Sequence, residues 1–110
     1  MALHSIEGGA GRIVQSAAGE AYIAAALGAY PVGGSDVLFG LGVAYSTGSH
    51  GLACDMIEAH RWFNIAAALG HEDAADCRAD VADEMTAREI IEAQRRAREW
   101  LARSRRRAAA

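Results

Sequence analysis

One hexapeptide occurs twice in the chain, and this repetition constrains the fold more than any other feature of the sequence. Residues 23–28 and residues 65–70 both read Ile-Ala-Ala-Ala-Leu-Gly, with an offset of 42 positions between them. Two-helix units of stacked helical proteins are about 34–47 residues long, so this spacing predicts an all-α repeat architecture. Such architectures typically present an extended surface to a binding partner.

The composition agrees with one helical domain. Of the 110 residues, 52% are hydrophobic but only 6% are aromatic, and alanine supplies much of the apolar fraction. Alanine favours helices because it loses no side-chain entropy there. The N-terminus lacks the cationic and apolar regions of a secretory signal, and no uncharged apolar run could span a bilayer. Because Cys54 and Cys77 are too few and too far apart for a zinc site or a redox pair, we expect a cytoplasmic protein with reduced thiols.

Periodicity and turn residues predict the first two of five helices. Residues 1–12 are glycine-rich and are expected to form a flexible N-terminal arm. A first helix is predicted from Ile13 to Leu27, with Gly28 as its end. The side chains predicted for its buried side are Ile13, Ala17, Ala21, Ala24 and Leu27. After a loop at residues 30–35, a second helix is expected from an Asp36 N-cap to Thr47, with Gly48 left-handed. Its predicted buried stripe is Leu38, Leu41, Gly42 and Tyr45.

Capping boxes mark the starts of two further helices. Asp55 with Glu58 opens the third, and Thr86 with Glu89 opens the last. The third helix carries Ala59, Trp62, Phe63, Ala66 and Leu69 at helical spacing and ends at Gly70. A fourth helix is predicted over about residues 72–84, with an apolar edge of Ala74, Cys77 and Val81. The last helix is expected to bury Ile90, Ala93, Ala97, Trp100 and Leu101.

A longer motif of small, aromatic and glycine residues crosses the second and third predicted helices. It consists of Leu41, Gly42, Tyr45, Gly48, Asp55, Ala59, Trp62, Phe63, Ala66, Ala67 and Gly70. The motif resembles a Sel-one-like repeat, a relative of the tetratricopeptide repeat. The resemblance implies a short α/α superhelix in one domain over residues 13–110. Residues 13–28 would be a degenerate half-repeat, 36–70 the complete repeat, 71–85 a capping helix and 86–110 a basic C-terminal helix. Residues 84–100 also resemble the C-terminal cap that follows such repeats in bacterial members.

The same resemblance implies a non-catalytic adaptor that binds another protein. In related superhelices the partner lies along the concave side, lined mostly by the first helix of each pair. Here this implicates Phe39 and Val43 of the second helix, with the fourth helix alongside. Because one complete repeat makes a short groove, self-association or stacking on another repeat protein is a natural way to extend it.

No residue pattern is typical of an enzyme or a metal site. Glu58 and His60 are two positions apart and therefore diverge on a helix, and no His-x-x-x-His occurs. No serine or cysteine has the context of an activated nucleophile. The glycines at residues 8–11 lack the strand and the lysine of a phosphate loop. We therefore expect no catalysis, no metal and no cofactor, with Trp62 and Phe63 in the core and His50 as a solvated turn residue.

Charge is divided unevenly along the chain, whose net charge is −3. Residues 1–92 contain 4 arginines against 13 acidic residues, whereas residues 93–110 contain 7 arginines against Glu99 alone. The C-terminal cluster consists of Arg95, Arg96, Arg98, Arg103, Arg105, Arg106 and Arg107. It is explained either as binding of nucleic acid or another polyanion, or as a solubilising helix end favoured by the helix dipole. The second explanation is favoured because Trp100, the one aromatic residue within the cluster, is assigned to the core.

Overall fold

Five helices make up the part of the chain that the computed structural model describes, residues 16–109, and no strand occurs there. They are α1 (Ala17–Gly33), α2 (Ser35–Thr47), α3 (Met56–Ala68), α4 (Ala74–Ala82) and α5 (Ala87–Ala109). Helix α3 is central and packs against α2, α4 and α5, while α1 packs against α2. The all-α prediction is confirmed. The arm predicted at residues 1–12 lies outside the described residues.

Helix α1 differs from its prediction in its C-terminal end and in its buried face. The Ser16 hydroxyl caps it by accepting a hydrogen bond from the Gly19 N–H at 3.0 Å, and the predicted start at Ile13 lies outside the described residues. The helix continues through Gly28 to Gly33, so the predicted end at Gly28 is wrong. The predicted buried stripe is also wrong, because Ala17, Ala21, Ala24 and Leu27 are exposed. The face that packs inward carries Gly19, Tyr22, Ile23, Ala26 and Tyr30.

Side-chain size explains this difference. Tyr22 and Ile23 remove more apolar area from water than the alanines on the opposite side, so they determine which face packs inward. Gly28 does not end the helix because Tyr30 follows and packs edge-on against Trp100, with ring centroids 5.7 Å apart. Gly34, with φ 70°, is therefore the whole connection between α1 and α2, where the sequence predicts a loop over residues 30–35.

The start of α1 is fixed against the turn between α2 and α3. The Ser16 hydroxyl donates to the Gly51 carbonyl at 2.8 Å, and the Tyr22 ring stacks on His50 with centroids 4.3 Å apart. A Cβ on Gly19 would lie 2.5 Å from the Gly51 oxygen, so this approach requires glycine. His50, predicted as a solvated turn residue, is exposed but has one ring face covered.

The pairing of α2 with α3 follows the predicted motif. Leu38, Leu41, Gly42 and Tyr45 are buried as expected. A Cβ on Gly42 would meet the Phe63 ring at 2.6 Å, which shows how closely the two helices approach. Gly48 is left-handed at φ 71°, as predicted. The predicted N-cap is wrong: Gly34 occupies that position, and the Asp36 carboxylate lies in the first turn, 3.2 Å from His71 Nε2.

The two predicted capping boxes form to different extents. At α5, the Thr86 N–H donates to Glu89 at 2.9 Å and the Glu89 N–H donates to the Thr86 hydroxyl at 3.1 Å, which completes the box. At α3, the Asp55 carboxylate accepts from the Glu58 N–H at 3.1 Å, but the Asp55 N–H donates to the Tyr45 carbonyl. The Glu58 carboxylate is therefore free to bond elsewhere.

The inward faces predicted for the two last helices are buried only in part, and Ile90, predicted to be buried, is half-buried. In α4, Ala74 and Val81 are buried and Cys77 is half-buried. In α5, Ala93 and Ala97 are buried, while Trp100 and Leu101 pack partly against the core. Within residues 16–109, no helix combines the length and apolarity needed to cross a membrane.

Candidate interaction surfaces

A polar network fastens α5 to α3. The Glu58 carboxylate is mostly buried and accepts hydrogen bonds from Arg61 at 2.9 Å and from the Trp62 indole N–H at 3.2 Å. Its second oxygen accepts from Arg96 of α5 at 2.7 Å. The buried indole therefore has a partner for its N–H, as a core tryptophan requires. The ring of Trp62 is 3% exposed, which confirms its prediction as a core residue.

Arg95 and Arg96, in the first half of α5, are paired with carboxylates. Arg95 bonds to Glu92 and Glu99, and Arg96 bonds to Glu92 at 2.7 Å as well as to Glu58. Hydrogen bonds from Arg95 and Arg96 lower the pKa of Glu92 to about 2. Arg95, one of the predicted partner-binding residues, thus already has two carboxylate partners.

The arginines from residue 98 to the end of α5 have few or no carboxylate partners. Arg103 lies 4.0 Å from Glu99, and no acidic residue follows Glu99 in the sequence. Within residues 16–109, no salt bridge forms at Arg98, Arg105, Arg106 or Arg107, and all four side chains are exposed. This part of the predicted cluster carries positive charge that the described chain does not neutralise.

An apolar cleft lies between the C-terminal halves of α1 and α5. We call it the α1–α5 cleft; its volume is about 310 Å³ and its lining residues are Leu27, Tyr30, Pro31, Trp100, Ser104, Arg107 and Ala108. A smaller depression beside it adds Arg103 to the same rim. The cleft therefore combines an aromatic and aliphatic floor with guanidinium groups at its edge.

The aromatic floor of the cleft continues into the core. Trp100 packs edge-on against Trp62, with ring centroids 5.5 Å apart, and also against Tyr30, with ring centroids 5.7 Å apart. Edge-to-face pairs of this kind contribute about 0.5–1.5 kcal/mol beyond their buried area. The Trp100 side of the cleft is thus held by the same core that holds α3.

Phe39 and Val43, the other predicted partner-binding residues, are in different environments. The Phe39 ring stacks on His71 with centroids 4.0 Å apart and also contacts Phe63 at 5.4 Å, so it is half-buried. Val43 is exposed. The two residues therefore do not form one free apolar surface, because Phe39 is committed to contacts with α3 and the segment that follows it.

The two histidines in and after α3, His60 and His71, are packed within the fold. His60 is 3% exposed, its Nδ1 has no hydrogen-bond partner, and burial, followed by the charge of Arg78, lowers its pKa below the ordinary value of 6.5. His71 instead bonds to Asp36 and to the Asp73 N–H. Among residues 16–109, no three histidine, cysteine, aspartate or glutamate side chains come together in a way that could hold a metal ion.

The α1–α5 cleft was not predicted, although the sequence contains a signal for it. Ile23, Ala26 and Tyr30 have the spacing of one helical face, and this face points to a helix that extends past Gly28. Taking Gly28 as the end of the helix assigns Tyr30 to a loop and hides its approach to α5. Nothing in the sequence indicates that Ser104 lines a cleft, because this depends on the position of α1 relative to α5.

Comparisons with known proteins do not assign this arrangement: no protein-family model matches the chain, and no curated protein or solved structure is significantly similar to it. Its function has to be inferred from its own residues.

Proposed function

We propose that this chain is a non-catalytic protein–protein interaction module, built as a short α/α superhelix of the Sel-one-like repeat type and acting in the cytoplasm. The observation that carries the proposal is the α1–α5 cleft, whose apolar lining lies beside the unpaired Arg107 and beside Arg103, which is 4.0 Å from Glu99. Apolar centres with polar or charged rims are common in protein interfaces, where aromatic residues and arginine are enriched.

The packing of α3 supports the repeat assignment. In a two-layer superhelix, the second helix of a pair touches its own partner and both helices of the next pair. Helix α3 has these contacts, with α2 as its partner and with α4 and α5 after it. The close approach of Gly42 to Phe63 and the left-handed Gly48 and Gly70 are what such a helix pair needs.

Polyanion binding is the second candidate, favoured by the unpaired arginines alone. Nucleic acid can bind such a cluster through its phosphates, with affinity that falls steeply with salt. Sequence-tolerant binding of single strands also uses free aromatic faces for base stacking. Trp100 is the one aromatic residue within the arginine cluster, and its ring already packs edge-on against Tyr30, so the cluster lacks a row of rings on which successive bases could stack. A protein partner is therefore favoured.

Affinity capture from the native cell tests the proposal. The whole chain and a variant lacking residues 104–110 serve as baits. The lysate used with each bait is treated with nuclease. We expect that the whole chain captures specific proteins even after nuclease treatment and that the truncated chain does not capture them. Capture that disappears with the nuclease would favour polyanion binding, and recovery of no specific protein would contradict the interaction role. Far-UV circular dichroism of both baits controls for folding.

A further inference from the structure

We infer that the α1–α5 cleft binds a linear peptide segment in which apolar side chains are flanked by aspartate or glutamate. This inference rests on the proposed interaction role and specifies the chemistry of the partner. It follows from the apolar floor, the charge at the rim and the size of the cleft, which are considered in turn.

The floor of the cleft favours aliphatic or aromatic side chains. Leu27, Tyr30, Pro31 and Trp100 supply most of the apolar lining. Leu27 is 37% exposed, so a partner that covers it removes apolar area from water. Because Trp100 is held by Trp62 and Tyr30, little side-chain entropy is lost when a partner covers this floor.

The rim of the cleft favours negative charge. Arg107, which has no carboxylate partner among the described residues, lines the cleft, and Ser104 adds a hydroxyl. Arg103, 4.0 Å from Glu99, lines the depression beside it. The opposing wall supplies no counter-charge, because Glu20 is the one acidic residue of α1 and lies in its first turn. Carboxylates of a partner can form bidentate bonds with these guanidinium groups, which also fix the register of the bound segment.

The size of the cleft favours a short segment of chain. Its volume of about 310 Å³ is at the lower limit of small-molecule sites, which span about 300–1,000 Å³. The cleft is open on one side and continues into the depression at Arg103. It therefore accommodates one or two apolar side chains of a peptide whose backbone remains outside, next to the arginines.

Fluorescence anisotropy with defined peptides and the full chain tests this inference. The probe is fluorescein-labelled Asp-Glu-Leu-Leu-Glu-Asp, with Asp-Glu-Ser-Ser-Glu-Asp and Lys-Lys-Leu-Leu-Lys-Lys as controls. At physiological salt we expect the first peptide to bind with a dissociation constant on the order of 10–100 μM. Each control peptide is expected to bind at least about tenfold more weakly, because it lacks either the apolar or the acidic side chains.

Two matched pairs of variants locate the binding site. Arg107→Glu is expected to weaken binding by about tenfold or more, whereas Arg98→Glu makes the same charge change on the same helix outside the cleft and has a smaller effect. Leu27→Ser is expected to weaken binding about fivefold. Its control is Leu69→Ser, because Leu69 is 40% exposed and occupies the same place in the second copy of the hexapeptide.

Three results would overturn the inference. They are equal binding of the serine peptide, equal weakening by Arg98→Glu and Arg107→Glu, and displacement of the acidic peptide by an oligothymidylate at physiological salt. The last result assigns the arginines to nucleic acid. If these peptides fail while affinity capture still recovers proteins that Arg107→Glu retains, the inference fails and the interaction role stands at another surface. If affinity capture recovers none, the interaction role fails as well.

Discussion

The two copies of the hexapeptide have the same six residues but different structures. In α3, residues 65–70 cover the last turn of a central helix, with Ile65 0% exposed and Ala66 buried. In α1, residues 23–28 lie in the middle of the helix, and four of the six residues are exposed. Surroundings, not local sequence, therefore decide what the hexapeptide does.

The ends of the two copies show the physical cause. Gly70 takes φ 100°, and the His71 N–H bonds back to the Ala66 carbonyl at 2.9 Å, which completes a Schellman end. His71 is held in place by Phe39 and Asp36 of α2. No such anchor follows Gly28. The chain there continues as helix to Tyr30, which packs on Trp100.

This difference has a functional side. Ile65 and Ala66 of the second copy are buried in the core, whereas Leu27 of the first copy lines the α1–α5 cleft. If the comparison is correct, substitutions 42 positions apart will have unequal effects, and the largest will come from α3.

Replacement of the core indole is expected to have the largest effect. Trp62→Ala should reduce the free energy of unfolding by about 3–5 kcal/mol, because it leaves a large cavity and removes a hydrogen-bond donor from Glu58. Glu20, 42 positions earlier, is exposed, and Glu20→Ala should cost less than about 1 kcal/mol. Urea unfolding of both variants measures these costs, and an unchanged midpoint for Trp62→Ala would place its side chain outside the core.

The two isoleucines of the hexapeptide provide a matched pair. Ile65→Ala should cost about 2–5 kcal/mol because the side chain is fully buried. Ile23→Ala should cost about 1 kcal/mol because its side chain is only partly buried. Denaturation in urea compares them directly, and equal costs would contradict the asymmetry between α1 and α3.

The two glycines should respond with opposite signs. Gly28→Ala should stabilise the protein by about 0.5–1 kcal/mol, because Gly28 is helical and a Cβ there has no neighbour within 4 Å. Gly70→Ala should destabilise it by about 1–2 kcal/mol, because φ 100° is unfavourable for alanine. Thermal melting of both variants measures these effects. Shifts of the melting temperature in the same direction for the two variants would refute the comparison.

His60 of α3 should make the free energy of unfolding depend on pH. The matching position in α1 is Ala18, which is exposed and does not titrate. Burial lowers the pKa of His60 in the folded state, so the unfolded chain binds a proton first as the pH falls. The stabilisation is complete above pH 6.5 and is lost as the pH falls from there through the lower folded-state pKa. His60→Leu should remove this part of the pH profile of the free energy of unfolding, and an identical profile in the variant would contradict the assignment.

Local patterns predicted the elements whose cause is local. The Thr86 capping box, the left-handed Gly48 and the buried stripe of α2 follow from neighbouring residues, and all three are observed. The end and buried face of α1 could not be predicted in this way, because Tyr30 continues the helix through its contact with Trp100, 70 positions later in the sequence. The Glu58 carboxylate likewise leaves its expected cap because Trp62 and Arg96 compete for it.

Native-state hydrogen exchange measures the difference between the two hexapeptides most directly. The amides of Ala66, Ala67 and Leu69 should exchange with an opening free energy close to that of global unfolding, because α2, α4 and α5 surround α3. The amides of Ala24, Ala25 and Leu27 should open about 2 kcal/mol more easily, through local unfolding of a helix that packs mainly on α2. Equal opening free energies for the two copies, with the same dependence on urea, would contradict the account.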